Sequence, residues 1–237
     1  MENKEEIIFL TKEEKEKFFK AIDMSEEKFK VRDRALFSLA YYCALKTSEI
    51  INVKIRDFDK EKRCIVCRKE KDGEGTRFVI IDDKAFYRLC EYYDERMNDD
   101  KFMSEYLFLS KVGKSLSRMA IHKITNKYCS VAEISEEKRH FHVLRHTRAI
   151  ELLKLGFSAQ ELKWFLGLKH IYNASMYFAF LSDESEIDNN KIYRMLEKGI
   201  IDAKEENKKQ SKGKSNTREF DPSGTAEISS VKKYNDS

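Results

Sequence analysis

Residues 140–147 read HFHVLRHT. On a helix this run sets His142, Arg145 and His146 on one face, with His140 just ahead of the first turn. Five histidines in the whole chain make the clustering informative. Three readings suit it. Two imidazoles four residues apart can ligate zinc. A guanidinium between imidazoles can grip phosphate oxygens while a neighbouring ring moves a proton. The run can also be a core helix with a polar side. The zinc reading lacks its base, because the metalloprotease pattern needs glutamate where Val143 stands. Cys64 and Cys67 have no second pair at zinc-ribbon spacing, and their surroundings read as strand. No metal and no cofactor are expected.

The elements that must carry these residues are mostly helices. Thr11–Glu14, TKEE, is a capping box that opens a helix bearing Phe18, Phe19 and Ile22. Residues 31–45 form a more apolar helix, with Lys30, Arg32 and Arg34 expected as solvated charges. β-Branched runs around Cys64–Cys67 and Phe78–Ile81 are split by the glycine-rich KDGEG, which predicts a small antiparallel sheet. Helices are expected again near 83–97, 117–131 and 142–155, the last ended by Gly156. Ser158–Glu161, SAQE, opens a short helix that Gly167 closes. A further helix carries Met176 and Tyr177. The last, about 187–204, has Ile192, Met195, Leu196 and Ile200 on one face.

Composition sets the outer limits. The chain has 237 residues, 41% hydrophobic and 37% charged, with a formal charge of +4. Nucleic-acid binding must therefore rest on local clusters rather than on net charge. No apolar run is long enough for a membrane span, and the polar, acidic start MENKEEIIFL is unlike a secretory signal. Five irregularly spaced cysteines suit a reduced, cytoplasmic protein. From about residue 206 the chain turns polar and aperiodic and holds its one proline, Pro222. The expected organisation is a lead over 1–9, one domain over 10–205 and a disordered tail over 206–237.

Three segments together point to chemistry. They are CALKTSEIINVKIRDFD at 43–59, HVLRHT, and FLGLKHIYNASMYFAF at 165–180. The set resembles the catalytic domain of the tyrosine recombinases, the phage integrase family, over roughly residues 10–180. That family's pattern is an arginine in a T-G-L-R-x-S-E-L turn, a hairpin lysine, H-x-L-R-H, L-G-H, and then a tyrosine. Here ALKTSEI matches around Lys46, HVLRHT matches directly, and Tyr177 follows Leu168 by nine residues. YLFLSKVGKSLSR at 106–118 is similar to the segment between the hairpin and the histidine. The likeness is greatest to short, catalytic-domain-only members such as the fimbrial-switch invertases, without a helical clamp domain ahead of the catalytic one.

The resemblance implies a mainly α fold with a small antiparallel β-sheet. It also implies DNA strand exchange through a 3′-phosphotyrosyl link. Tyr177 would be the nucleophile. Arg145, Lys46 and His142 would stabilise the phosphate, and a hairpin lysine would protonate the leaving 5′ oxygen. Lys71 is the first candidate and Lys69 the second, since both point to one strand face. Arg118 is a phosphate-contact candidate, and His146 a buried, hydrogen-bonded support for the site. The residue types fit without the family name. A phenol can form the phosphodiester link, and a planar guanidinium binds two non-bridging oxygens at once.

Two positions depart from the pattern. Lys46 stands for arginine, which keeps the charge and loses the two-pronged geometry. Leu168 stands for histidine and donates nothing, although His170 lies two residues on. Two readings stay open. One is a site-specific recombinase slowed by Lys46 and Leu168. The other is a non-catalytic DNA-binding or regulatory protein that kept the fold. Either takes double-stranded DNA in the cytoplasm, at the nucleoid. The recombinase would assemble as a homo-tetramer or with a partner recombinase, and the 187–204 helix would dock on a neighbouring protomer.

Overall fold

The computed structural model describes residues 7–68, 76–98 and 104–180. Lys69, Lys71, the expected 187–204 helix and the tail from 206 lie outside the described residues.

The fold is mainly α with one small sheet. In chain order, α1 (Lys12–Asp23), α2 (Lys30–Tyr42) and α3 (Thr47–Asn52) lead into a 3-10 turn at Ile55–Asp57. Then come β1 (Phe58–Asp59), β2 (Cys64–Cys67), β3 (Arg77–Ile80) and α4 (Asp83–Met97). The rest comprises α5 (Arg118–Val131), a 3-10 turn at Glu136–Lys138, α6 (His142–Lys154), α7 (Ala159–Leu166) and α8 (Tyr172–Ser175), which runs into a 3-10 turn at Met176–Phe180. The sheet is antiparallel in the order β1-β2-β3.

Local signals explain most boundaries. Thr11 and Glu14 form the expected capping box, as do Ser158 and Glu161, and Gly167 ends α7 at φ +61°. The helix expected over 31–45 stops earlier, at Tyr42, because Ala44 takes the left-handed conformation at φ 49°. A residue with a Cβ is strained there. The pattern's glycine falls at this position.

Two packed clusters make the core. Helix α2 runs through the first, where Phe18, Phe37 and Tyr128 meet edge to face and Phe37 also packs on Phe141. The second joins the later part of α6 to Leu162, Leu166, Ala174, Tyr177 and Phe178. Because α6 belongs to both, its first turns are held between them. Thr147 adds a tie from its hydroxyl, which accepts from the Leu10 N–H at 2.9 Å and donates to Val143 O at 2.7 Å.

Arg32 is not a solvated charge. It is buried, forked onto Asp33 at 2.9 and 2.6 Å, with Nη1 donating to Leu109 O at 2.7 Å. Tyr128 OH donates to the same carboxylate at 3.0 Å. A buried charge survives only when paired in this way. The adjacent acid and the facing tyrosine turn this arginine inward, and the sequence offers no signal of it beyond their presence.

Candidate active site

Arg145 sits at the centre of the site, in the first turn of α6, the part that both clusters hold, and it is 4% exposed. Nη1 donates to Ala44 O and Nη2 donates to Leu166 O at 2.5 Å. One guanidinium therefore joins the turn before α3 to the end of α7. Each Nη keeps a second N–H and Nε keeps its own, so the group can still fork onto an anion. Burial lowers its pKa to about 10, opposed by Glu49 and reinforced by Arg77. It stays charged at neutral pH.

Tyr177 is nearly buried in the second cluster, and its hydroxyl lies 2.9 Å from His146 Nδ1. Burial raises the phenol pKa, and the nearby Arg145 opposes that rise. Burial, with His142, His140 and Arg145 adding to it, pushes His146 down to about 4. A neutral ring with Nε2 protonated leaves Nδ1 as an acceptor for the phenolic proton. The expectation of a hydrogen-bonded His146 thus gains a specific partner, one that residue spacing does not reveal.

His142, one turn ahead of Arg145, opens into a cleft of about 400 Å³. Lys46, Thr47, Ser48, Arg118, His122 and His140 share its lining, and no carboxylate among the described residues does. Loss of solvent lowers the His142 pKa first, followed by repulsion from Arg145, His140, Lys46 and Arg118. The same order, burial and then His122, lowers His140. An anion between these groups would offset the repulsion among them. His122 was not among the sequence candidates. It lies on α5 one turn after Arg118, and only the packing of α5 against α3 brings it here.

Lys46 precedes α3, and its N–H donates to Glu49 Oε2 at 2.7 Å. Leu168 packs against the second cluster, so a side chain with no donor fills its place. His170 is exposed on the turn after α7. Cys64 and Cys67 occupy opposite ends of β2 and, being three apart, face opposite sides of the sheet.

The order of a forked buried arginine, a histidine one turn ahead and a tyrosine on a later short turn can be compared with known proteins. A family model, the phage integrase family, matches residues 8–184. The chain belongs to the phage integrase family. A tyrosine recombinase XerC of Caldanaerobacter subterraneus is 27% identical over 171 residues, which is 72% of this chain and 46% of that protein. The type 1 fimbriae regulatory protein FimB of Escherichia coli K12 is 29% identical over 171 residues, 72% of this chain and 84% of FimB. Among solved structures, XerA recombinase superposes with a TM-score of 0.65 at 24% identity, covering 79% of this chain and 64% of XerA. XerH in a post-cleavage complex with difH gives 0.66 at 24% identity, covering 78% of this chain and 52% of XerH. At that identity the structural likeness establishes the fold. The integrase-family chain spans about half the length of the XerC relatives and most of FimB.

The low pKa of His146 has a thermodynamic consequence. The unfolded chain takes up this proton near 6.5, the folded one only near 4. The stabilisation is therefore complete above pH 6.5 and is lost as pH falls toward 4. His140 and His142 add to it in the same direction. Thermal melts from pH 7.5 to 5 should show a falling midpoint, by roughly 2–4 °C for each kcal/mol lost. His146→Gln should flatten that slope. A slope identical to wild type would remove the assignment of the depressed group.

Proposed function

We propose that the protein is a site-specific DNA recombinase that cleaves one strand through a 3′-phosphotyrosyl intermediate. The observation that carries this reading is the Tyr177 hydroxyl on His146 Nδ1 beside the buried Arg145, next to a cleft that Lys46 and Arg118 line and that no carboxylate among the described residues enters. The phenolic oxygen attacks phosphorus and its proton passes to His146 Nδ1. A Tyr–O–P bond forms and the P–O5′ bond breaks. Arg145 forks onto the non-bridging oxygens, with Lys46 and His142 adding positive charge and a donor. The 5′ oxygen leaves with a proton from Lys71, or from Lys69 in second place. Attack by a 5′ hydroxyl from a second strand reverses these steps and completes exchange. No metal takes part in this scheme, because the chain's own cations meet the phosphate charge.

Lys46 and Leu168 each remove hydrogen bonds to the phosphate that the family pattern supplies, so the reaction is a slow one. Double-stranded DNA is the substrate. We infer a homo-tetramer on DNA, or an assembly with a partner recombinase, acting in the cytoplasm at the nucleoid. Arg118, with His122 and His140, would hold the phosphate next to the scissile one. Among the described residues no helix is long and apolar enough to cross a membrane.

The test uses a pool of nicked duplexes with randomised inverted-repeat arms, incubated with the full chain and run on a denaturing gel. A covalent protein–DNA band is expected, because the short 5′ fragment diffuses away and traps the adduct. Binding should weaken by about 10³-fold or more between 50 and 200 mM salt if six or more phosphates are held. Steep salt dependence with no adduct from any pool would favour the non-catalytic DNA-binding protein. Absence of binding at low salt would remove both.

A further inference from the structure

We propose that Arg77 is a positioning residue for strand cleavage: it locks the turn that carries Lys46 to the end of α7 and so fixes the phosphate-binding cations relative to Tyr177. This rests on the recombinase reading above. Arg77 opens β3 on the sheet's inner face, opposite Cys67. Its Nε and Nη2 fork onto Glu49 at 3.2 and 2.9 Å, and Nη1 donates to Phe165 O at 2.6 Å. The same Glu49 carboxylate accepts the Lys46 N–H at 2.7 Å. A single chain of charge-assisted bonds therefore runs from the backbone of Lys46 through Glu49 and Arg77 to the last turn of α7.

Two further observations separate this from an ordinary surface ion pair. Both side chains are only 16% exposed, so the pair is held in place rather than sampled. The Arg77 stem also lies flat against Gly167, where a Cβ would stand 2.5 Å from Arg77 Cδ and 2.9 Å from Nε. The glycine that closes α7 thus makes room for the arginine as well as taking the left-handed turn. Arg145 links the same two segments from its own side, through Ala44 O and Leu166 O. Two guanidinium groups cross-brace one gap. Arg145 would meet the phosphate, and Arg77, already committed to Glu49 and Phe165, keeps the distance between the gap's walls constant.

The experiment is single-turnover cleavage of the nicked duplex at saturating protein by wild type, Arg77→Met and Arg77→Lys, with duplex affinity measured in parallel. A misfolded fraction lowers the amplitude of adduct formation, whereas a misplaced cation lowers its rate constant. Arg77→Met should lower the rate constant by about 10–100-fold while amplitude and affinity stay near wild type. Arg77→Lys, which can reach Glu49 or Phe165 O but not both, should fall between. If Arg77→Met shows no cooperative melt, Arg77→Lys carries the same comparison. A rate constant within about twofold of wild type, or a loss confined to amplitude, overturns the positioning role alone. Wild type without any adduct overturns it together with the recombinase reading.

Discussion

Tyr177→Phe is expected to abolish the covalent adduct while leaving the fold and duplex affinity almost intact. The substitution removes one oxygen and no charge. The ring stays in the second cluster, where Tyr177 packs with Phe178, Ala174 and Leu166. What is lost locally is the bond to His146 Nδ1, worth about 0.5–1.5 kcal/mol. The chemical loss is total, because among the described residues Tyr177 carries the hydroxyl bonded to His146 Nδ1. Tyr172 is the informative control, being 75% exposed on α8, five residues earlier in the chain. An adduct that survives Tyr177→Phe and disappears in Tyr172→Phe would transfer the nucleophile to Tyr172. Phosphotyrosine mapping of the trapped band makes the assignment directly.

Arg145→Lys should cost about 10²–10³-fold in the single-turnover rate constant, the scale seen when a preorganised donor to the transition state is removed. A lysine ammonium can meet Ala44 O or Leu166 O, but it cannot bridge them and fork onto a phosphate as well. The wall between α3 and α7 loosens at the same time as the two-pronged contact disappears. Lys46→Arg should act in the opposite sense. It restores the guanidinium of the family pattern at the cleft edge, and one recovered charge-assisted bond corresponds to roughly ten-fold in rate. The pair of variants is read in one assay. Equal, small effects in both would mean that guanidinium geometry does not limit cleavage.

The two substitutions probe positions of different kinds, and the difference follows from how each is built. Lys46 has a local frame: the α3 start and Glu49, three residues on, fix its backbone. Arg145 has a long-range frame, with partners 101 and 21 residues away in the chain. Sequence signals of the first kind were legible. The Thr11–Glu14 and Ser158–Glu161 boxes and the Gly167 stop each depend on bonds within one or two helical turns, so their residue types announce them. The order of Lys46, His142, Arg145 and Tyr177 was legible through the family pattern, which is itself a record of order and spacing.

The strand β3 shows where such reading ends. Its period of two states that Arg77 and Val79 share one face and Phe78 and Ile80 the other. Phe78 and Ile80 are 71% and 80% exposed, while the inward face carries the buried Val79 and, beside it, the half-buried Arg77. Arg77 can share that face with Val79 because Glu49 and Phe165 O receive it, and they lie 28 and 88 residues away. The burial of Arg32 on Asp33 and the meeting of His146 with Tyr177 are of the same type. The sequence by itself determined the helices with their caps, the small hairpin sheet and the identity of the chemical groups. Only the tertiary structure decided which polar groups face one another. A buried charge or phenol takes its place from the partner that satisfies it, and that partner's position is set by the packing of elements far apart in the chain.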